Sequence, residues 1–178
     1  MKISILLLIT FSAFSCQHHK PREKEIRDNL KKEINLEMFD NIRHRSKEIS
    51  FDNFRSKYRY IYLVYLQQDC GICYTKYVDW QKKMCSVNKF DFVTALFVIK
   101  GNSYDEFIQE AQKEGLKEDR FYTFMDTNDS FINANESIPG WIIENTFLID
   151  EQNRIVLIGS PFSTPEMTKV FYGICSGQ

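Results

Sequence analysis

Glycine and proline are scarce in this chain, 7 and 4 of 178 residues, and histidine is scarcer still at 3. Collagen-like repeats and Pro/Gly-rich disorder are excluded by those counts. Charge of either sign is not in excess. The 23 Lys and Arg face 24 Asp and Glu, a net charge of -1, which lacks the basic surplus of a nucleic-acid binder. No apolar run approaches the ~20 residues that a membrane-crossing helix needs. Aromatic side chains are abundant instead, with 15 Phe, 9 Tyr and 2 Trp, and the chain is 43% hydrophobic. Such a length and composition make one globular domain with a short appendage.

The charges divide unevenly. Residues 17–60 carry 12 Lys or Arg against 8 Asp or Glu, and residues 61–178 carry 10 against 16. Solvated surface accounts for both stretches. Ahead of them, Lys2 leads into Ile3, Ile5, Leu6, Leu7, Leu8, Ile9 and Phe11, then Ser12-Ala13-Phe14-Ser15-Cys16. A charged start, a short apolar centre and a small-residue end describe a secretory signal. With Ala13 and Ser15 ahead of Cys16, the junction resembles the lipobox of bacterial lipoproteins. That resemblance implies a signal peptide over residues 1–15 and lipid modification of Cys16. An ordinary signal peptide or a membrane-anchored helix is the competing reading. Residues 16–49 are then expected as a charged tether. Ile26, Leu30, Ile34 and Met38 recur every fourth residue there, the spacing of one helical stripe. His18 and His19 read as solvated linker residues.

From residue 50 the pattern alternates. Residues 58–66 (YRYIYLVYL) and 91–100 are rich in aromatic and branched side chains, as strands are. The near-continuous apolar run of the second suits a strand covered on both faces. Between them, residues 71–87 place Tyr77, Trp80 and Met84 at helical spacing, which predicts a right-handed crossover and a parallel pair. Ser103-Tyr104-Asp105-Glu106 reads as a capping box, and Gly115 as that helix's stop. A short strand over 121–125 and a short helix over 128–135 follow. Residues 143–150 and 154–159 are expected to form a hairpin, and Ser163-Thr164-Pro165-Glu166 to open the last helix. The expected fold class is α/β.

Cys70-Gly71-Ile72-Cys73 falls between the first strand and its helix. Cysteines three apart in a first helical turn can bring their sulfurs into bonding range. Unpaired N–H groups and the dipole at a helix N-terminus favour a thiolate, the nucleophile of disulfide exchange. Cys70 is thus the candidate nucleophile and Cys73 the resolving thiol. Export would place both in an oxidising compartment.

This arrangement resembles the thioredoxin superfamily, and more narrowly the TlpA/ResA-like membrane-anchored thiol–disulfide oxidoreductases of bacteria. Thr146-Phe147-Leu148-Ile149-Asp150, a turn and Arg154-Ile155-Val156 are similar to that branch's "TFLID" hairpin. The likeness spans residues 50–175 and implies a thioredoxin-like three-layer sandwich with a central mixed β-sheet over residues 50–178. It also implies that Glu144 and Asn145, where the family has its cis-proline loop, line the site and hold a substrate strand. Asp69 and Ile72 stand where the family has Trp and Pro, and Val64 where thioredoxins bury an acid. Acids beside the dithiol, Asp69 and Glu144, would oppose thiolate formation and favour a reductant.

The expected activity is therefore thiol–disulfide exchange with protein thiols or disulfides outside the cytoplasm, at a membrane reached through the lipid anchor. No cofactor, metal or nucleic acid is called for. Haem attachment needs a histidine at position 74, which is Tyr74. Zinc would need Cys85 and Cys175 or distant histidines as further ligands, since there is no second CxxC. Cys85 and Cys175 read either as a bridge or as two unpaired hydrophobes. The competing function is a binding module whose Cys70–Cys73 disulfide is only structural.

Overall fold

A computed structural model describes residues 22–177 of the chain. The signal peptide, Cys16, His18 and His19 lie outside the described residues. In chain order the elements are α1 (Arg22–Asn29), β1 (Asn41–His44), β2 (Lys47–Ser50), α2 (Phe51–Arg55), β3 (Tyr60–Gln67), α3 (Gly71–Val87) and β4 (Val93–Lys100). Next come α4 (Tyr104–Lys113), β5 (Tyr122–Asp126), α5 (Ser130–Ala134), α6 (Gly140–Asn145), β6 (Phe147–Ile149), β7 (Ile155–Ile158) and α7 (Pro165–Ser176).

Seven strands form one sheet in the order β2-β1-β5-β4-β3-β6-β7. β3, β4 and β5 run parallel, and β6, β7, β1 and β2 are added antiparallel. The expected mixed sheet is therefore present. β3 lies inside the sheet between β4 and β6, and its alternation divides the core. Tyr60, Tyr62, Val64 and Leu66 face one apolar cluster while Ile61, Leu63 and Tyr65 face the other, as a period of two requires. Trp80 and Tyr77 of α3, Phe107 of α4 and Phe171 of α7 cover the first face. Phe54 of α2, Phe131 of α5 and Ile142 and Ile143 of α6 cover the second. Helices on both sides of a sheet make the three layers. Each such side chain contributes about 1.5–3 kcal/mol on burial.

Two expectations need correction. The stripe over residues 23–39 is not one helix: α1 ends at Asn29, and Lys31 turns with a φ of 70°. The chain then runs along β7, where Lys31 N–H donates to Ile155 O and Ile155 N–H to Lys32 O. Ile34, Leu36, Phe39 and Ile42 are buried in the second cluster, and β1 and β2 extend the sheet. This stretch belongs to the domain and is no tether up to residue 49. Unsatisfied groups on the β7 edge and the apolar second face take it up.

The strand expected over 143–150 is only β6. Residues 140–145 are the helix α6, entered from Pro139, whose carbonyl accepts from Ile142 N–H at 2.9 Å. Branched side chains at 142 and 143 read as strand by propensity, but burial beneath β3 is equally available to a short helix. At the last helix the cap is Thr164, whose Oγ1 accepts from Met167 N–H, with Pro165 opening the helix as expected. Among the described residues, no helix is long and apolar enough to cross a membrane.

Candidate functional site

The parallel strands β3, β4 and β5 end level with one another: Gln67 is paired with Lys100, and Lys100 with Asp126. The dithiol sits just beyond that edge. Cys70 is the N-cap of α3, with φ -117° and ψ 103°, and its carbonyl accepts from Cys73 N–H at 2.8 Å. The first turn of α3 contains no acid, so nothing within it offsets the positive end of the dipole. Both sulfurs are free thiols of intermediate exposure.

The turn before Cys70 is held on both sides. Asp69 lies in the left-handed region at φ 62°, and its N–H donates to Tyr74 Oη at 2.9 Å. Gln68 crosses to the β4–α4 loop. Its Oε1 accepts from Asn102 N–H (2.8 Å) and Ser103 N–H (3.2 Å), and its Nε2 donates to Glu106 (3.0 Å). The expected capping box of α4 is thus closed through Gln68: Ser103 Oγ accepts from Glu106 N–H, but Glu106 binds Gln68 instead of reaching back. Gly101 makes room, since a Cβ there would lie 2.4 Å from Gln68 Oε1.

Burial pushes the Cys73 thiol up to about 11, with the neighbouring Cys70 sulfur adding to the shift and the Gln67 backbone and Lys76 opposing it. The leading cause is desolvation, not the acids Asp69 and Glu144 that the sequence brought forward. Cys73 therefore holds its proton near neutral pH.

Glu144 and Asn145 are both exposed, at the C-terminal end of α6. Asn145 and Thr146 line a groove of about 560 Å³ beside the dithiol, together with Ile72, Lys76, Trp80 and Phe162. Ile72 is 82% exposed, so the residue between the two cysteines offers its apolar surface to solvent. The Glu144 carbonyl accepts from Lys76 Nζ at 2.7 Å. Thr146 then turns into β6 with φ 75° and ψ 144°, fully buried, its hydroxyl without a hydrogen-bond partner. A branched residue at positive φ is strained. A larger cavity of about 730 Å³, bounded by Glu33, Phe39, Asp52 and Arg55, lies away from the cysteines.

Sequence reasoning missed Gln68, Tyr74, Lys76 and Thr146. Only Lys76 left a signal, since three residues past Cys73 is the helical spacing of neighbours. The buried carboxylate near this edge is Asp126. It accepts from Ser130 N–H, Ser130 Oγ and Phe131 N–H, and so is used up in holding α5. Cys175 is buried, its thiol pushed up to about 12 by desolvation, and Cys85 is exposed beside Arg120 at 3.5 Å. Both are free thiols.

No protein-family model matches the chain, and no curated protein matches it in sequence. Solved structures do. The thioredoxin domain of a thiol-disulfide oxidoreductase from Bacteroides vulgatus is similar at a TM-score of 0.51 and 15% identity, over 82% of this chain and 94% of that one. A putative thiol-disulfide oxidoreductase from the same organism is similar at 0.53 and 19% identity, over 74% and 82%. A reduced 2-Cys peroxiredoxin of Plasmodium vivax is similar at 0.60 and 14% identity, over 84% and 98%.

Proposed function

With a thioredoxin-like fold as the premise, we propose that the chain is a thiol–disulfide exchange protein working outside the cytoplasm. Cys70 is the nucleophile and Cys73 the resolving thiol. The observation that carries this reading is the position of Cys70 as N-cap of α3, with Cys73 half-buried one turn on. Cys70 attacks one sulfur of a client disulfide, forming a mixed disulfide and releasing the other client sulfur as a thiolate. Cys73 then displaces the client from Cys70, and two electrons have passed to the client. The Cys70–Cys73 disulfide is returned to the dithiol by an external dithiol donor.

The direction follows from the thiols. A Cys73 thiol raised by burial does not favour the charged, reduced form. A dithiol whose thiolate is destabilised on balance has a low potential and acts as a reductant. Asn145 and the exposed Ile72 line the side on which a client strand would lie, and Glu144 stands beside it. The lipobox-like Cys16 supports a location in the cell envelope, anchored by lipid to a membrane, with protein thiols or disulfides as partners.

Trapping decides the matter. Cys73→Ser should accumulate mixed disulfides with client proteins, and Cys70→Ser few, because Cys70 stands at the N-terminus of α3 and Cys73 one turn deeper. Equal trapping by both, or by neither, together with a potential below about -300 mV, would assign a structural disulfide in a binding module. Separately, Cys16→Ser should move the protein from the membrane to the soluble fraction, and retention there would remove the anchor from this reading.

A further inference from the structure

Lys76 stands one helical turn past Cys73 on α3, in the groove that also holds Ile72, Asn145 and Thr146. It is neither a free surface lysine nor an ion-pair partner among the described residues. Its ammonium donates to the Glu144 carbonyl at 2.7 Å, so the end of α6 fixes where that charge sits. A neutral carbonyl does not neutralise it. One of the three ammonium donors is engaged there, and the charge is left to act on its neighbours. Burial lowers the lysine's pKa, and Cys73, Glu144 and Cys70, in that order, draw it back up.

We propose that Lys76 is the positioning residue whose charge stabilises the Cys73 thiolate in the resolving step, from a perch fixed by the Glu144 carbonyl. The inference rests on the exchange reading and supplies what that reading leaves open. Cys73 is half-buried, and ionising a thiol there costs free energy that a nearby cation offsets. In the step itself Cys73 gives its proton to water and its sulfur attacks Cys70 Sγ of the mixed disulfide. The Cys70–Cys73 bond forms, and the client sulfur leaves as a thiolate that takes a proton from water. Lys76 keeps its own proton throughout and touches the reaction only through charge.

The charged groups acting on Lys76 besides Cys73 are the Glu144 carboxylate and Cys70. Cys70 and the Gln67 backbone act on Cys73 directly. Tyr65, on the other side, senses Cys73 together with Asp126 and Asp129, and Asp129 is paired with Lys100 at 2.8 Å. Asp79 borders the same groove but is paired with Lys83 at 2.8 Å. Of these, Lys76 is the cation whose charge acts on Cys73.

The test uses the full chain carrying Cys70→Ser and follows alkylation of Cys73 by iodoacetamide against pH. Lys76→Gln keeps a donor for the Glu144 carbonyl and removes the charge. Its alkylation midpoint should rise by about one pH unit, a roughly tenfold fall in thiolate at a given pH. Lys76→Arg keeps the charge and should hold the midpoint within a few tenths of the parent. An unmoved midpoint in Lys76→Gln overturns the inference, and so does a raised midpoint in Lys76→Arg, which decides the question even if the glutamine variant does not fold. Failure of the exchange reading looks different: Cys73→Ser then traps no client, whatever the midpoints do.

Discussion

Two junctions flank the candidate site, and they are built in opposite ways. The β3–α3 turn is held by side-chain hydrogen bonds on both sides. Gln68 fills the β4–α4 loop with three hydrogen bonds, and Tyr74 receives the Asp69 N–H from one turn away. The α6–β6 bend has no such brace. Its backbone is bonded locally, Thr146 N–H to Ile143 O at 3.3 Å and Gly159 N–H to Thr146 O at 2.8 Å, one lysine side chain from α3 reaches it, and it passes through Thr146 at φ 75° with an unpartnered hydroxyl. A braced turn keeps Cys70 in place. The contrast is between a turn braced by side chains and a bend that carries a strained residue.

The largest test of that contrast is Gly101→Ala. Its methyl would displace Gln68, so the brace is lost along with the space. We expect a loss of about 2 kcal/mol, read as a fall of roughly 4–8 °C in the melting midpoint. An unchanged midpoint would mean that Gln68 holds nothing in place.

Thr146→Gly probes the other junction and should act in the opposite direction. Relief of backbone strain and removal of an unpartnered hydroxyl outweigh the lost methyl contact, for a gain of about 1 kcal/mol in denaturant unfolding. A loss instead would show that the bend is not strained. Tyr74→Phe removes the acceptor for the Asp69 N–H, which lies at an exposed residue, and should cost about 0.5–1 kcal/mol.

The smallest effect is that of pH. Cys73 has its pKa raised in the folded chain, from an ordinary 9.0 to about 11, and Cys175 from 9.0 to about 12. A group with a raised folded pKa contributes stability that is present below its unfolded value and is lost as pH rises through the folded one. Stability should therefore decline between about pH 9 and 12 in denaturant titrations. Cys73→Ser should flatten only part of that decline, because Cys73 is half-exposed and screened and Cys175 remains. A decline unaffected by both cysteine replacements would assign it to the tyrosines, among them Tyr65, raised to about 12.

Much of the fold was legible before any coordinates. The runs that became β3 and β4, the helix over residues 71–87 and its CxxC at a strand–helix boundary follow from propensity, period and position. The site was legible on one side only. Cys70 and Cys73 announce themselves by spacing, but the Gln68 brace joins residues 34 and more positions apart, and Lys76 reaches 68 residues to Glu144. No local pattern encodes such pairs. The acids at 69 and 144 drew attention as charges, whereas burial is what moves the Cys73 thiol.

The amino-acid sequence by itself determined the strand–CxxC–helix unit, since helix start, apolar period and the chemistry of a first-turn cysteine are settled within a few turns of chain. Only the tertiary structure decided that residues 34–50 join the sheet, that 140–145 coil instead of extending, and that a lysine carbonyl contact closes the wall opposite the dithiol. In each of these segments the local preferences are nearly balanced. The outcome falls to long-range terms, namely the unpaired backbone of β7, the apolar underside of β3 and the reach of a side chain from another helix, which the folded chain alone brings together.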